Sequence, residues 1–153
     1  MYRTHTCGQL RKDDVGKTVE LAGWVSKRRN LGSIVFIDLR DRYGITQITF
    51  DEAHTESIKD VRNEYVLWVK GEVSAKEVPN PKLETGEIEV LVKEVKVLNS
   101  SKTTPMIIAD ETDALEDLRL KYRYLDLRRP VLQKNLILRD KVTTIFRRVL
   151  HDH

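Results

Sequence analysis

The chain has 153 residues, 40% hydrophobic and 33% charged, a composition of soluble globular proteins that excludes disordered and collagen-like classes. Its 27 Lys+Arg against 24 Asp+Glu leave a net charge of +3, so bulk charge alone does not point to nucleic acid. Cys7 stands alone, which excludes an internal disulfide, and no Cys/His pair has zinc-ligand spacing; no structural metal is expected and Cys7 reads as a packing residue. The start, Met1 to Thr6, lacks an apolar signal core, and no run is long enough to span a bilayer, so a cytoplasmic protein with no membrane partner is expected.

In chain order, residues 19–26, 34–40 and 45–50 are short, rich in β-branched side chains and separated by Gly/Asn/Asp-containing turns, which predicts three consecutive antiparallel strands. Residues 52–63 are polar with scattered apolar positions such as Ile58 and Val61, the pattern of a short helix. Residues 65–73 and 88–98 give two further strands, joined by a loop holding Pro79, Pro81 and Gly86. In the last strand Ile88, Val90 and Val92 share one face while Val95 and Val97 fall on the other, so a bulge or bend is expected near Lys93-Glu94. Three strands, a small helix and two strands is the order of the five-stranded Greek-key oligonucleotide-binding barrel, the OB-fold.

Beyond the barrel, 99–113 reads as a linker. Asp113 has the position of an N-cap for a helix from Ala114, with Glu116 completing a capping box, and the helical pattern continues unevenly to Pro130. After Pro130, Leu138, Val142, Ile145 and Val149 recur at helical spacing and form one apolar stripe. That helix runs to His151-Asp152-His153 without a glycine stop, so a cut-off domain is expected.

Alternation in the second strand puts Val35, Ile37 and Leu39 on one face and Phe36, Asp38 and Arg40 on the other. An outward Phe36 on a polar barrel face suits stacking on an unpaired base, against the plain alternative of an edge-packed ring. Gln47 points to the same side; its amide, with both a donor and an acceptor, suits a uracil edge. Glu89, opposite the Ile88/Val90/Val92 face, is placed to accept from a guanine or cytosine amino group. Lys27, Arg28 and Arg29 close the first strand, in what reads as a loop, as cations for phosphates or a base edge. No GxGxxG, GK[ST], GxSxG or HExxH occurs, so no catalytic residue and no ATP site is expected within the chain. Asp38 with Asp41, and His151 with His153, are better read as a salt-bridged turn and a chain end than as metal sites.

The ordered string Gly23-Trp24-Val25, Lys27-Arg28-Arg29-Asn30-Leu31-Gly32, Phe36-Ile37-Asp38-Leu39-Arg40-Asp41-Arg42 and Gly44-Ile45-Thr46-Gln47 resembles aspartyl-tRNA synthetases of bacterial type. A second block, Arg119 to Pro130, is similar to the hinge that joins the anticodon barrel to the class II catalytic domain in that family, and the following helix resembles class II motif 1. The resemblance implies an anticodon-binding OB-fold at 1–98, a linker at 99–113, a hinge at 114–130 and the start of a catalytic domain at 131–153. It implies that Phe36 stacks on the middle anticodon uridine with Arg29 and Gln47 around it, and that Glu89, and Asn80 in the last loop, contact other anticodon bases. Lys27, Arg28, Arg119 and Arg123 would meet phosphates. Leu31 matches members that charge only aspartate tRNA, whereas Asn30 stands where the family usually has an acidic residue.

On this reading the partner is a tRNA with a GUC anticodon. The full-length enzyme would be a homodimer that attaches L-aspartate with ATP and magnesium, while this part needs no cofactor. The alternatives are a free-standing module for single-stranded nucleic acid and an oligomerisation fragment that pairs through the stripe on its last helix.

Overall fold

The computed structural model describes residues 3–152; Met1, Tyr2 and His153, and with them part of the N-terminal reading and the His151/His153 pairing, lie outside the described residues. The chain divides into two compact units, Met1–Thr103 and Thr104–His153.

The first unit is a closed five-stranded barrel, β1 (Thr18–Leu31), β2 (Ile34–Arg40), β3 (Ile45–Phe50), β4 (Val66–Ala75) and β5 (Ile88–Asn99), in spatial order β1-β2-β3-β5-β4 with β4 returning to β1. All pairings are antiparallel except β3 with β5, which run parallel through Ile48 opposite Val90 and Thr49 opposite Leu91. Strict alternation fills the interior: Val19, Leu21 and Val25 from β1, Val35, Ile37 and Leu39 from β2, Ile48 and Phe50 from β3, Leu67, Val69 and Val73 from β4, and Ile88, Val90 and Val92 from β5 are all buried. Each such side chain contributes about 1.5 to 3 kcal/mol on burial, so the inward half of every strand holds the barrel and the outward half is free to vary in function. Cys7 and Leu10 extend this core beside the start of β3, where Thr46 Oγ1 donates to the Cys7 carbonyl, and burial drives the Cys7 thiol far above its usual range.

Three register slips shape the barrel, one of them at the end of β5 where Val66 pairs with Asn99 but Leu67 with Val97. Lys93 is the extra residue where Lys70 pairs with Glu94 but Gly71 with Val92, at the expected slip. Gly71 makes it possible, because a Cβ there would lie 2.3 Å from the Leu91 carbonyl oxygen. The slip in β1, at Ser26, falls where Val25 pairs with Leu39 and Lys27 with Asp38. It corrects the sequence reading of 27–29 as a loop: β1 continues to Leu31 and turns into β2 through Gly32-Ser33, with Gly32 at φ +63. A two-residue hairpin with a glycine at positive φ in its first position matches strand twist, and the long ladder outweighs the turn propensity of Asn30.

The helix after β3 is shorter than expected. It comprises α1 (Glu52–Thr55), capped by Asp51, and a 3-10 turn at Glu56–Ile58 that buries Ile58. The polar run beyond Ile58 has only Val61 to anchor it, too little to hold a longer helix.

In the second unit no regular element lies between Asn99 and α2 (Glu116–Lys121), which is followed by α3 (Arg123–Asp126) and α4 (Pro130–Asp152). The capping box expected at Asp113 does not form: Leu115 is the N-cap, no side chain caps the helix, and Thr112 Oγ1 instead accepts from the Ala114 amide at 3.3 Å. A local Thr turn therefore delays the helix by two residues. Asp126, fully buried, takes Arg119 Nε and Arg129 Nη1 at 3.0 Å each and Arg123 Nη1 at 2.5 Å. Arg129 also donates to the Ala109 and Asp110 carbonyls, tying the preceding segment to the two short helices. Along α4 no residue is buried, and Leu138, Val142, Ile145 and Val149 are each at least half exposed.

Candidate nucleic-acid interface

The outward residues of β1, β2, β3 and β5 meet on one face, and the Ser26 bulge is what brings β1 into it. Before the bulge the odd-numbered residues Val19, Leu21 and Val25 point into the barrel; without a slip Arg29 would do the same. After it Arg29 stands opposite Phe36 and Lys27 opposite Asp38, and directly opposed residues share a face. Phe36 in turn lies opposite Thr49, and Asp38 opposite Gln47. The parallel register of β3 and β5 sets Glu89 beside Gln47 and Thr49. Phe36, Asp38, Gln47, Thr49 and Glu89 are half-buried, while Arg29 is exposed.

A chain of hydrogen bonds crosses these four strands. Arg29 Nη2 donates to Asp38 Oδ1 at 2.8 Å and to Gln47 Oε1 at 3.2 Å. Gln47 Nε2 donates to Glu89 Oε2 at 3.1 Å, and Thr49 Oγ1 donates to the same oxygen. Lys76, one residue beyond β4, joins the cluster electrostatically. Its burial lowers the ammonium below the usual lysine range, Glu89 and Asp38 pull it back up, and Arg29 presses it down. Two cations and two carboxylates therefore interact on this face, and their charges balance locally. Lys76 was missed in the sequence because it sits past the last alternating position of β4, where no strand pattern assigns it a side.

The remaining candidates are placed as follows. Lys27 is exposed on the outer face. Arg28 is engaged in the fold: its Nη1 donates to the carbonyls of Lys59 at 3.0 Å and Val61 at 2.8 Å, and its Nε to Asn30 Oδ1 at 3.2 Å. Asn30, which stands where the resembled family usually has an acidic residue, thus still supplies an acceptor. Leu31, 68% exposed, ends β1 opposite Ile34 at the hairpin tip. Asn80 lies in the β4–β5 loop, where its Oδ1 accepts from the Lys82 amide at 3.1 Å and its backbone pairs with Gly86; among the described residues no hydrogen bond joins it to the Arg29–Glu89 chain. Arg119 and Arg123 are both bonded to Asp126. Asp38 takes Arg29 and Asp41 takes Arg3, each at 2.8 Å, and among the described residues no group of three His, Cys, Asp or Glu is placed to hold an ion. No helix among them is long and apolar enough to cross a membrane.

An aromatic ring flanked by a guanidinium, an amide and a carboxylate can stack one unpaired base and hydrogen-bond its edge and that of a neighbour.

Known proteins resemble this chain along its whole length. Aspartate–tRNA ligase of Mycoplasma mycoides is 51% identical over 99% of this chain and 26% of its own length. Aspartate–tRNA(Asp/Asn) ligase of Desulfatibacillum aliphaticivorans is 50% identical over the whole chain and 27% of its own length. The chain thus spans about a quarter of the length of these relatives. The crystal structure of a putative aspartyl-tRNA synthetase from Leishmania major superposes with a TM-score of 0.86 at 25% identity, over 98% of this chain and 33% of that one. Residues 115–153 match the model of class II tRNA synthetases (D, K and N). Residues 19–98, more than half of the chain, match the model of the OB-fold nucleic acid binding domain, and the chain belongs to that family.

Proposed function

We propose that this chain is the anticodon-reading front part of an aspartate–tRNA ligase and that its partner is a tRNA carrying GUC. The observation that carries the reading is the single outer face on which Phe36 stands beside the Arg29–Gln47–Glu89 hydrogen-bond chain. Phe36 stacks on the middle base, a uridine, and Arg29 and Gln47 hydrogen-bond around it. Glu89, which takes Gln47 and Thr49 through Oε2, accepts from the amino group of an adjacent base through Oε1, and Lys76 interacts with it. Asn80 contacts a further anticodon base. Lys27, the outer edge of Arg28, and Arg119 and Arg123 through the donors not bonded to Asp126 neutralise phosphates, giving an affinity that falls with salt.

The whole protein, on this reading, is a cytoplasmic homodimer that joins L-aspartate to its tRNA using ATP and magnesium. Residues 1–98 form the anticodon domain, 99–113 a linker, 114–130 a hinge and 131–153 the start of the catalytic domain. The synthetase match at 115–153 favours this over a free-standing module. Leu31 at the hairpin tip is the proposed determinant of selectivity for aspartate over asparagine tRNA; relatives named for one tRNA and for both are equally similar.

The test is a titration of the chain with an anticodon stem-loop carrying GUC and with one changed at the middle base. Preference for GUC by about 1 to 3 kcal/mol is expected, and Phe36→Ala should weaken GUC binding by a similar amount without unfolding the barrel. Equal affinity for the two loops would refute the reading.

A further inference from the structure

A glutamine amide is a weak judge of a pyrimidine on its own. Its oxygen and nitrogen ends have nearly the same shape, and a half-turn of the terminal torsion exchanges donor and acceptor. Uracil presents a carbonyl oxygen beside an N–H; cytosine presents an amino group beside a bare ring nitrogen. A freely turning Gln47 would satisfy either. In this fold it is not free, because Arg29, which can only donate, holds Oε1, and Glu89, which when ionised can only accept, holds Nε2. A half-turn would press an N–H2 against the guanidinium and a carbonyl oxygen against the carboxylate, leaving both ends mispaired. The one lone pair and one N–H that remain are fixed in place to complement the N–H and the carbonyl of a uracil edge.

We propose that Thr49 is the positioning residue that makes this lock hold, and with it the choice of uracil over cytosine; the inference rests on the anticodon reading above. Its hydroxyl is the second donor on Glu89 Oε2, the oxygen that Gln47 uses. A carboxylate on an outward strand position can swing, and the Lys76 ammonium, close enough to interact with Glu89, is a competing attraction. Thr49, on the same strand as Gln47 and across from Phe36, fixes the carboxylate through this second hydrogen bond. Asp38 does the same for Arg29 at the other end of the chain. Without the hydroxyl, Glu89 leaves Nε2, the amide turns, and cytosine is admitted.

The experiment compares wild type, Thr49→Val and Thr49→Ser, as the full chain, with stem-loops carrying GUC and GCC. Wild type favours GUC by about ten- to a hundredfold. Thr49→Val, a β-branched replacement that suits the strand, lowers that ratio about fivefold, mainly by tightening GCC binding, and Thr49→Ser restores it. A ratio unchanged in Thr49→Val, or an equal weakening of both loops, overturns the lock while leaving the anticodon reading intact. Wild type binding both loops equally overturns the anticodon reading itself, and the lock with it.

Discussion

Replacing Asp126 by asparagine should open the short helices of the second unit while the barrel stays folded. The carboxylate is fully buried and is the common acceptor of Arg119, Arg123 and Arg129 at 3.0, 2.5 and 3.0 Å. Asparagine keeps the shape but turns an N–H2 toward one guanidinium and removes the charge that offsets all three. Breaking a buried ion pair costs about 3 to 5 kcal/mol. The lower end applies because Arg119 and Arg123 side chains are 32% and 47% exposed and water screens them. About 3 kcal/mol corresponds to roughly a hundredfold loss of protection, to be read by hydrogen exchange at the amides of Leu125, Asp126 and Leu127, which bond to the carbonyls of Tyr122 and Arg123. The pH dependence has a definite sign. Burial raises the Asp126 pKa, but its hydrogen bonds to and the charges of Arg119 and Arg129 outweigh that and hold it below the ordinary 3.8. Its stabilising contribution is therefore complete above that ordinary value and is lost as pH falls through the lowered one. Amides at 125–127 that keep wild-type protection in Asp126→Asn would refute the assignment of the triple ion pair as what holds these helices.

Two further predictions concern the barrel. Both ring nitrogens of His54 face acceptors, Asp51 Oδ1 at 2.7 Å and the Lys93 carbonyl at 3.0 Å. The hydrogen bond to Asp51 raises its pKa most, burial opposes, and the Lys93 carbonyl adds to the rise; stability from this clasp is full below the ordinary histidine value and is lost as pH rises through the raised one. An NMR titration should give a midpoint above 6.5 that falls in Asp51→Asn, and an unmoved midpoint in that variant would count against the clasp. Gly71→Ala should cost about 2 kcal/mol, close to 10 °C in melting temperature, because its Cβ would meet the Leu91 carbonyl oxygen at 2.3 Å; a melt within 2 °C of wild type would show that the Lys93 bulge yields freely.

Period-two alternation made most of the barrel legible. β2 and β3 coincide with the expected spans, and the slip in β5 was visible because Val92 and Val95 cannot share a face without an extra residue between them. Phe36, Gln47 and Glu89 were legible as outward residues for the same reason. Arg29 was assigned a role but not a geometry, since nothing in Val25-Ser26-Lys27 marks a bulge and the polar run after Ser26 has the look of a turn. The parallel β3–β5 closure that sets Glu89 beside Gln47 is a long-range pairing with no local signal. Lys76 and the Asp126 cluster were illegible as interactions because each depends on residues brought together by folding rather than by spacing.

The outer face of β1, β2, β3 and β5 as the RNA-binding surface is tested most directly by amide and side-chain NMR shifts of the labelled chain on addition of the GUC stem-loop. The account predicts that shifts concentrate at Arg29, Phe36, Gln47, Thr49, Lys76 and Glu89 and spare the β1–β4 side around Ala22 and Trp68. Shifts centred on Ala22 and Trp68, with the Phe36 and Gln47 signals unmoved, would contradict it.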